Sequence, residues 1–169
     1  IDAANAHSKL GLKRAPTLFL EFHGSQRWVE EQSETAAAIA QEYGGSGFEW
    51  STRPEERDRI WQARHESIFA NQTLRPGCKT YTTDCCVPIS RLADAVMAAR
   101  EDADASSLTA KIIGHVGDGN FHVGYLIKPE IPEELAEAER LAHRLYERTI
   151  AMGGTFSGEH GIGISKLDY

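Results

Sequence analysis

Cysteine is scarce in this chain. Cys78, Cys85 and Cys86 are the three present among 169 residues, and they form neither a CxxC pair nor the even framework of a small secreted domain. That pattern points to a reducing compartment, cytosolic or matrix-like, in which the thiols simply pack. GxGxxG and GxxxxGK[ST] are both missing, so no strand-to-helix turn here is built to cradle a nucleotide's phosphates by itself. Basic residues are the minority charge, 18 Lys and Arg against 25 Asp and Glu for a net charge of -7. With no basic stripe, nucleic acid and an anionic membrane surface are excluded as main partners. The longest apolar stretches, Leu18 to Leu20 and Lys111 to Val116, are strand-length, far short of the roughly 20 apolar residues of a membrane helix. Low-complexity tracts, repeats at solenoid periods and linkers are absent as well.

What is there suits one soluble globular domain, with 41% hydrophobic residues. A chain this short has no room for separate nucleotide and substrate domains. It starts at Ile1 rather than Met, and its last glycine cluster, Gly158 to Gly163, lies close to the end. The sequence therefore reads as a piece of a longer protein, 1–169 being a single domain of it.

The apolar pattern predicts strands at 16–22, 48–52, 79–87, 111–116 and 121–127. Ser25 is placed to cap a helix over 26–43 that points Val29, Ala36, Ile39, Ala40 and Tyr43 inward and stops at Gly44-Gly45. Pro54, with Glu55 and Glu56 behind it, opens a helix carrying Ile60, Trp61, Arg64, Ile68 and Phe69. Pro76-Gly77 marks a turn. Ser90 can cap a third helix with Leu92, Ala95, Val96 and Ala99 inward, and Pro132 opens a fourth with Leu135, Ala138, Ala142, Leu145 and Ile150 inward, ending at Gly153-Gly154. The order β-α-β-α-β-α-β-β-α fits an α+β domain, a mainly antiparallel sheet with helices packed on one side.

The most informative segment is Gly114-His115-Val116-Gly117-Asp118-Gly119-Asn120-Phe121-His122. If Asp118-Gly119 is the centre of a two-residue hairpin, 117 pairs with 120, 116 with 121 and His115 with His122. Opposed side chains on one face have Cβ atoms about 4.5–5.5 Å apart, close enough for two imidazoles to reach one metal ion. Ile112, Val116, Phe121, Val123 and Tyr125 fall on the other, core-facing side. Two histidines alone are equally a polar cross-strand pair. A third ligand is available in Ser157-Gly158-Glu159-His160-Gly161-Ile162-Gly163, where Glu159 is suited to a metal and His160 to proton transfer. Glycines at this density imply a sharply turning backbone or close approach to another group, as beside a cofactor, which brings in Gly158 and Gly161. The plainer reading is a glycine-rich connector with incidental charges.

Arg64 lies on the apolar stripe of its helix rather than on the charged face of Glu55, Arg57, Asp58 and Arg59. A guanidinium there needs an anion, either an internal carboxylate or a substrate carboxylate held bidentately. Thr80, Thr82, Thr83 and Asp84 could line a pocket from their extended segment.

HVGDGNFH at 115–122 and GEHGIG at 158–163, with WQARH at 61–65, TDCCVPIS at 83–90 and APTLFLEFHGS at 15–25, together resemble one family. It is the C-terminal, substrate-binding half of FAD-linked oxidases of the vanillyl-alcohol-oxidase type, nearest the cytochrome-linked D-lactate dehydrogenase branch and close to glycolate oxidase subunits and D-2-hydroxyglutarate dehydrogenases. The resemblance implies a ferredoxin-like-related fold and FAD held mainly by an N-terminal domain that this chain lacks, together with a short C-terminal segment. It implies a divalent metal, zinc or manganese, on His115, His122 and Glu159, with His160 facing substrate and flavin and Arg64 on the substrate carboxylate. The activity implied is oxidation of a small D-2-hydroxy acid to the 2-oxo acid, D-lactate to pyruvate, with hydride passing to the flavin. The electrons would go on to an acceptor such as cytochrome c, a quinone or an electron-transfer flavoprotein. The location implied is cytoplasmic and peripheral to the inner membrane, or mitochondrial in a eukaryote. Gly124 stands where the 2-hydroxyglutarate enzymes carry Asn, and Thr82 where they carry Lys, which weakens the case for a second substrate carboxylate. The competing readings are a metal- or ligand-binding module without chemistry and a metal-dependent hydrolase, the latter disfavoured because no nucleophile motif accompanies the ligands.

Overall fold

A computed structural model of the chain describes residues 1, 5, 11–66, 74–164, 166 and 167. The chain divides into two units, Ile1–Leu74 and Arg75–Tyr169.

In the first unit, Ser25 caps helix α1 (Gln26–Glu42) as its sequence predicts, its hydroxyl accepting the Trp28 N–H at 3.3 Å. Val29, Ser33, Ala36 and Ala40 form the more buried stripe. Ile39 and Tyr43, predicted inward, are 53% and 83% exposed; Ile39 sits on the flank of that stripe, and Tyr43 is the residue at which the chain leaves the helix. Helix α2 (Pro54–Glu66) starts at Pro54 with Glu55 and Glu56 in its first turn, where the helix dipole favours them. Ile68 and Phe69 lie outside the described residues. The predicted strands at 16–22 and 48–52 are irregular and enter no ladder among the described residues. Alternation says which face a strand would bury, but a strand also needs a partner edge, and here Leu18 and Leu20 stay exposed.

The second unit runs β1 (Lys79–Thr82), β2 (Cys85–Cys86), α3 (Ile89–Asp104), β3 (Thr109–His115), a turn of 3-10 helix (Val116–Asp118), β4 (Asn120–Ile127) and α4 (Pro132–Ala151). Strand β4 is the centre: β3 pairs along one edge, and β1 and β2 share the other, all antiparallel. Phe121, Val123, Tyr125 and Ile127 project from β4 to one side, where α3 and α4 cover them. α3 contributes Ala95, Ala99 and Ala103, small residues one turn apart that let the helix approach closely. α4 contributes Ala138, Leu141, Ala142, Leu145, Tyr146 and Thr149, a stripe of helical period. This is the α+β arrangement with helices on one face of an antiparallel sheet that the sequence predicts.

Three details differ. α3 begins at Ile89, after Pro88, so Ser90 falls inside the helix and no side chain caps it. Leu135 and Ile150 are exposed, since the buried stripe of α4 passes through Leu141 and Tyr146 instead. Val116 is also exposed, because the hairpin bends into its 3-10 turn before reaching the core. Bridging α3 and α4, Asp102 accepts from Arg144 at 2.9 Å and Arg148 at 2.5 Å.

Candidate metal centre

The histidine hairpin closes with a four-residue loop rather than a two-residue one. Val116–Asp118 make the 3-10 turn, and Gly119 ends it at φ 75. The glycine is required twice over: its conformation is left-handed, and a Cβ there would stand 2.1 Å from the Val87 carbonyl oxygen. The register is therefore His115 with Asn120, Gly114 with Phe121 and Ile113 with His122. His115 lies diagonal to His122 instead of opposite it. Side chains alternate with a period of two, so this offset leaves both imidazoles on the same face, their ring centroids 6.4 Å apart. That face points away from α3 and α4.

The third donor is carried to the sheet by the segment after α4. Thr155 and Cys86 exchange backbone hydrogen bonds of 2.8 Å in both directions, anchoring the segment beside β2. Gly158 then passes so close to the sheet that a Cβ would lie 1.9 Å from Asn120 Nδ2 and 3.0 Å from Asp84 Oδ1. Next comes Glu159, with Oε1 2.8 Å from His122 Nε2 and 3.8 Å from His115 Nε2. One ligand atom each from His115, His122 and Glu159 lies within 4.8 Å of the others. His160 joins the group, its Nε2 3.7 Å from Glu159 Oε1 and its ring 5.2 Å from that of His122.

The chemistry of these donors suits a divalent ion. His122 is buried, and its Nδ1 faces only acceptors, the Thr83 carbonyl at 3.3 Å and Asp84 Oδ1 at 3.4 Å, so Nδ1 carries the proton. Its Nε2 faces Glu159 Oε1 at 2.8 Å, a contact met by a proton on Nε2 or by a cation that both atoms bind. Two imidazoles and a carboxylate are the set zinc takes when positions are kept open for water or substrate.

Behind the donors lies a second carboxylate. The β1 and β2 registers, Thr82 with Gly124 and Cys85 with Phe121, leave Thr83 opposite Val123 and Asp84 opposite His122. Thr83 fills the gap between the strands by donating its N–H to the Val123 carbonyl at 2.9 Å while its hydroxyl accepts the Val123 N–H at 2.9 Å. Asp84 is 2% exposed. Its Oδ2 accepts the backbone N–H of Glu159 at 2.9 Å and of His160 at 2.8 Å, and its Oδ1 accepts from Asn120 Nδ2 at 2.8 Å. Burial pushes this carboxyl upward, but the His160 and Glu159 amides and then Asn120 outweigh it, holding it below the usual carboxylate range. At neighbouring Cys85 the hydrogen bond with the Thr149 side chain offsets burial only in part, and the thiol is pushed up to about 11.

The structure thus brings together His115, His122, Glu159 and His160. Gly158 is occupied with Asn120 and Asp84, whereas Gly161 has open space where a Cβ would stand. Arg64 lies in the first unit, half-buried on α2 beside Ile60 and Trp61 as its spacing predicts. Sequence reasoning passed over Asn120 as a turn residue and left Asp84 as generic lining. Strand parity was the available signal for Asp84, since in TYTTDCC it alternates with Thr83 and Cys85, both core residues.

An antiparallel sheet thus carries two histidines on its open face, with a carboxylate and a further histidine brought alongside by the segment after α4. The chain matches the FAD linked oxidases, C-terminal domain, over residues 1–169, and it belongs to that family. Among curated relatives, it is 45% identical over 166 residues to a probable mitochondrial D-lactate dehydrogenase of Danio rerio, covering 98% of this chain and 33% of that protein. It is 38% identical to the mitochondrial D-lactate dehydrogenase [cytochrome] of Arabidopsis thaliana, over 100% of this chain and 30% of the relative. To the glycolate oxidase subunit GlcD of Bacillus subtilis it is 29% identical, over 96% of this chain and 35% of the relative. The chain spans about a third of the length of these relatives.

Proposed function

We propose that this chain is the substrate- and metal-binding part of an FAD-dependent D-2-hydroxy acid dehydrogenase that oxidises D-lactate to pyruvate. The observation that carries the reading is the convergence of His115, His122 and Glu159 donors within 4.8 Å. A bound zinc or manganese ion would supply Lewis acidity at the substrate hydroxyl, and the flavin, held by the rest of the protein, the two-electron acceptor. His160 accepts the hydroxyl proton, being beside the donors yet exposed enough to pass the proton to solvent. The substrate carboxylate in this reading takes a guanidinium, for which Arg64 is the candidate its sequence motif offers, and Gly161, with nothing within 4 Å of an added Cβ, is the candidate for flavin proximity. Thr82 and Gly124, opposed across β1 and β4, are uncharged, but Lys111 of β3 lies over Gly124 from its other side, so the preference for lactate in this reading rests on the D-lactate dehydrogenase relatives.

The electron acceptor in this reading is a cytochrome, as in the name of the Arabidopsis relative, and the location is mitochondrial if the source is a eukaryote. No described helix is long and apolar enough to cross a membrane. The test is a substrate panel on the full-length flavoprotein. D-lactate should bleach the flavin absorbance; reduction by D-2-hydroxyglutarate alone or by glycolate alone overturns the substrate assignment. Glu159→Ala should abolish stoichiometric metal and turnover together, and unchanged metal content would refute the ligand set.

A further inference from the structure

Asp84 is 2% exposed, and the polar contacts it makes end on groups that shape the donor set. Oδ2 holds the amides of Glu159 and His160. Oδ1 holds Asn120, which packs against Gly158, and lies 3.4 Å from Nδ1 of His122. One carboxylate thus ties the segment bearing Glu159 to the strand bearing His122, two pieces of chain far apart in sequence. We propose that Asp84 is a positioning residue for the cation centre, fixing the Glu159 backbone and the His122 ring so that their ligand atoms converge before any ion arrives. The inference rests on the metal-site reading above. A carboxylate behind a ligating imidazole also makes it a better donor, and together with Glu159 it gives the site two negative charges to set against a divalent ion.

Asp84→Asn separates this role from bulk. The side chain keeps its size, but whichever way the amide turns, its NH2 group meets a donor, either the two backbone N–H groups or the Asn120 amide. One arm must break. The experiment uses the full-length flavoprotein stripped of metal and titrated with zinc against a competing chelator. The expected result is a zinc affinity about 10–100-fold weaker than wild type, with flavin content and melting temperature near wild type, and turnover recovered by excess zinc. A merely structural aspartate would not give that recovery. Wild-type zinc affinity in Asp84→Asn overturns the proposal while leaving the ligand set standing. Zinc binding that survives Glu159→Ala in an otherwise wild-type protein overturns the reading on which it rests. If Asp84→Asn does not fold, residue-resolved hydrogen exchange on the stripped wild-type protein decides. Glu159 and His160 amides exchanging well below the rate of an unstructured peptide support the proposal, and exchange at that rate overturns it.

Discussion

Gly158→Ala should damage the centre more than Gly161→Ala, although the two glycines flank the same pair of residues. At Gly158 the added methyl would stand 1.9 Å from Asn120 Nδ2, against about 3.5 Å for ordinary contact. Asn120 is 5% exposed and cannot swing aside. It would lose its bond to Asp84 Oδ1 at 2.8 Å, a charge-assisted bond of about 1.5–3 kcal/mol, and its weaker one to the Cys85 carbonyl at 3.2 Å, about 0.5–1.5 kcal/mol. The sum is about 3 kcal/mol. At Gly161 nothing lies within 4 Å, and the penalty is the left-handed φ of 77 alone, about 1–2 kcal/mol. If the Gly158 strain falls on the closed site, zinc affinity drops about 100-fold, at about 1.4 kcal/mol per decade. Chelator competition on the full-length protein reads the affinities and thermal melting the stabilities. A Gly158→Ala protein that binds zinc like wild type, or a Gly161→Ala protein that suffers more, would refute the close-approach argument.

In α4, Leu141→Ala should cost about 2–5 kcal/mol, because the side chain is 1% exposed, whereas Leu135→Ala at 39% exposure should lie within about 0.5 kcal/mol of wild type; denaturant unfolding distinguishes them. Cys85, with its thiol pushed up to about 11, should resist alkylation of the native protein at pH 8, and peptide mapping should find half-buried Cys86 modified ahead of it. Glu134 is held below its usual range by Arg75 and then by the Lys128 N–H. A carboxyl depressed in the folded state adds stability above its ordinary value of about 4.3 and loses it as pH falls through the folded value. The stability advantage of wild type over Glu134→Gln should therefore be present at neutral pH and vanish on acidification; an advantage that persists in acid would contradict the pairing.

The donor set was legible because chemistry-bearing residues stood in short motifs: His115 and His122 bracket a turn, and Glu159 and His160 sit between glycines. The sequence could not say how the turn closes. Asp118-Gly119 suits a two-residue hairpin, but the chain prefers a 3-10 turn with only Gly119 left-handed, and Val116 leaves the core as a result. Helices were legible from caps and prolines, less so from apolar spacing: Leu135 and Ile150 carry the right residue type at the edge of the buried stripe. Asp84 is the clearest loss. Its importance lies in contacts with residues 159 and 160, which no local pattern announces.

Strand β4 has a consequence for how this protein is made. Each described strand, β1, β2 and β3, pairs with β4, which follows all of them in the chain. During synthesis the first three therefore leave the ribosome with open edges and nothing to join, the state in which nascent chains are most prone to wrong association. The donors arrive in the same sequence: His115 precedes its partner strand, and Glu159 emerges only after α4. A ribosome stalled before β4 releases no partial version of the sheet, and one stalled between β4 and Gly158 exposes a sheet with two histidines and no carboxylate to close the site.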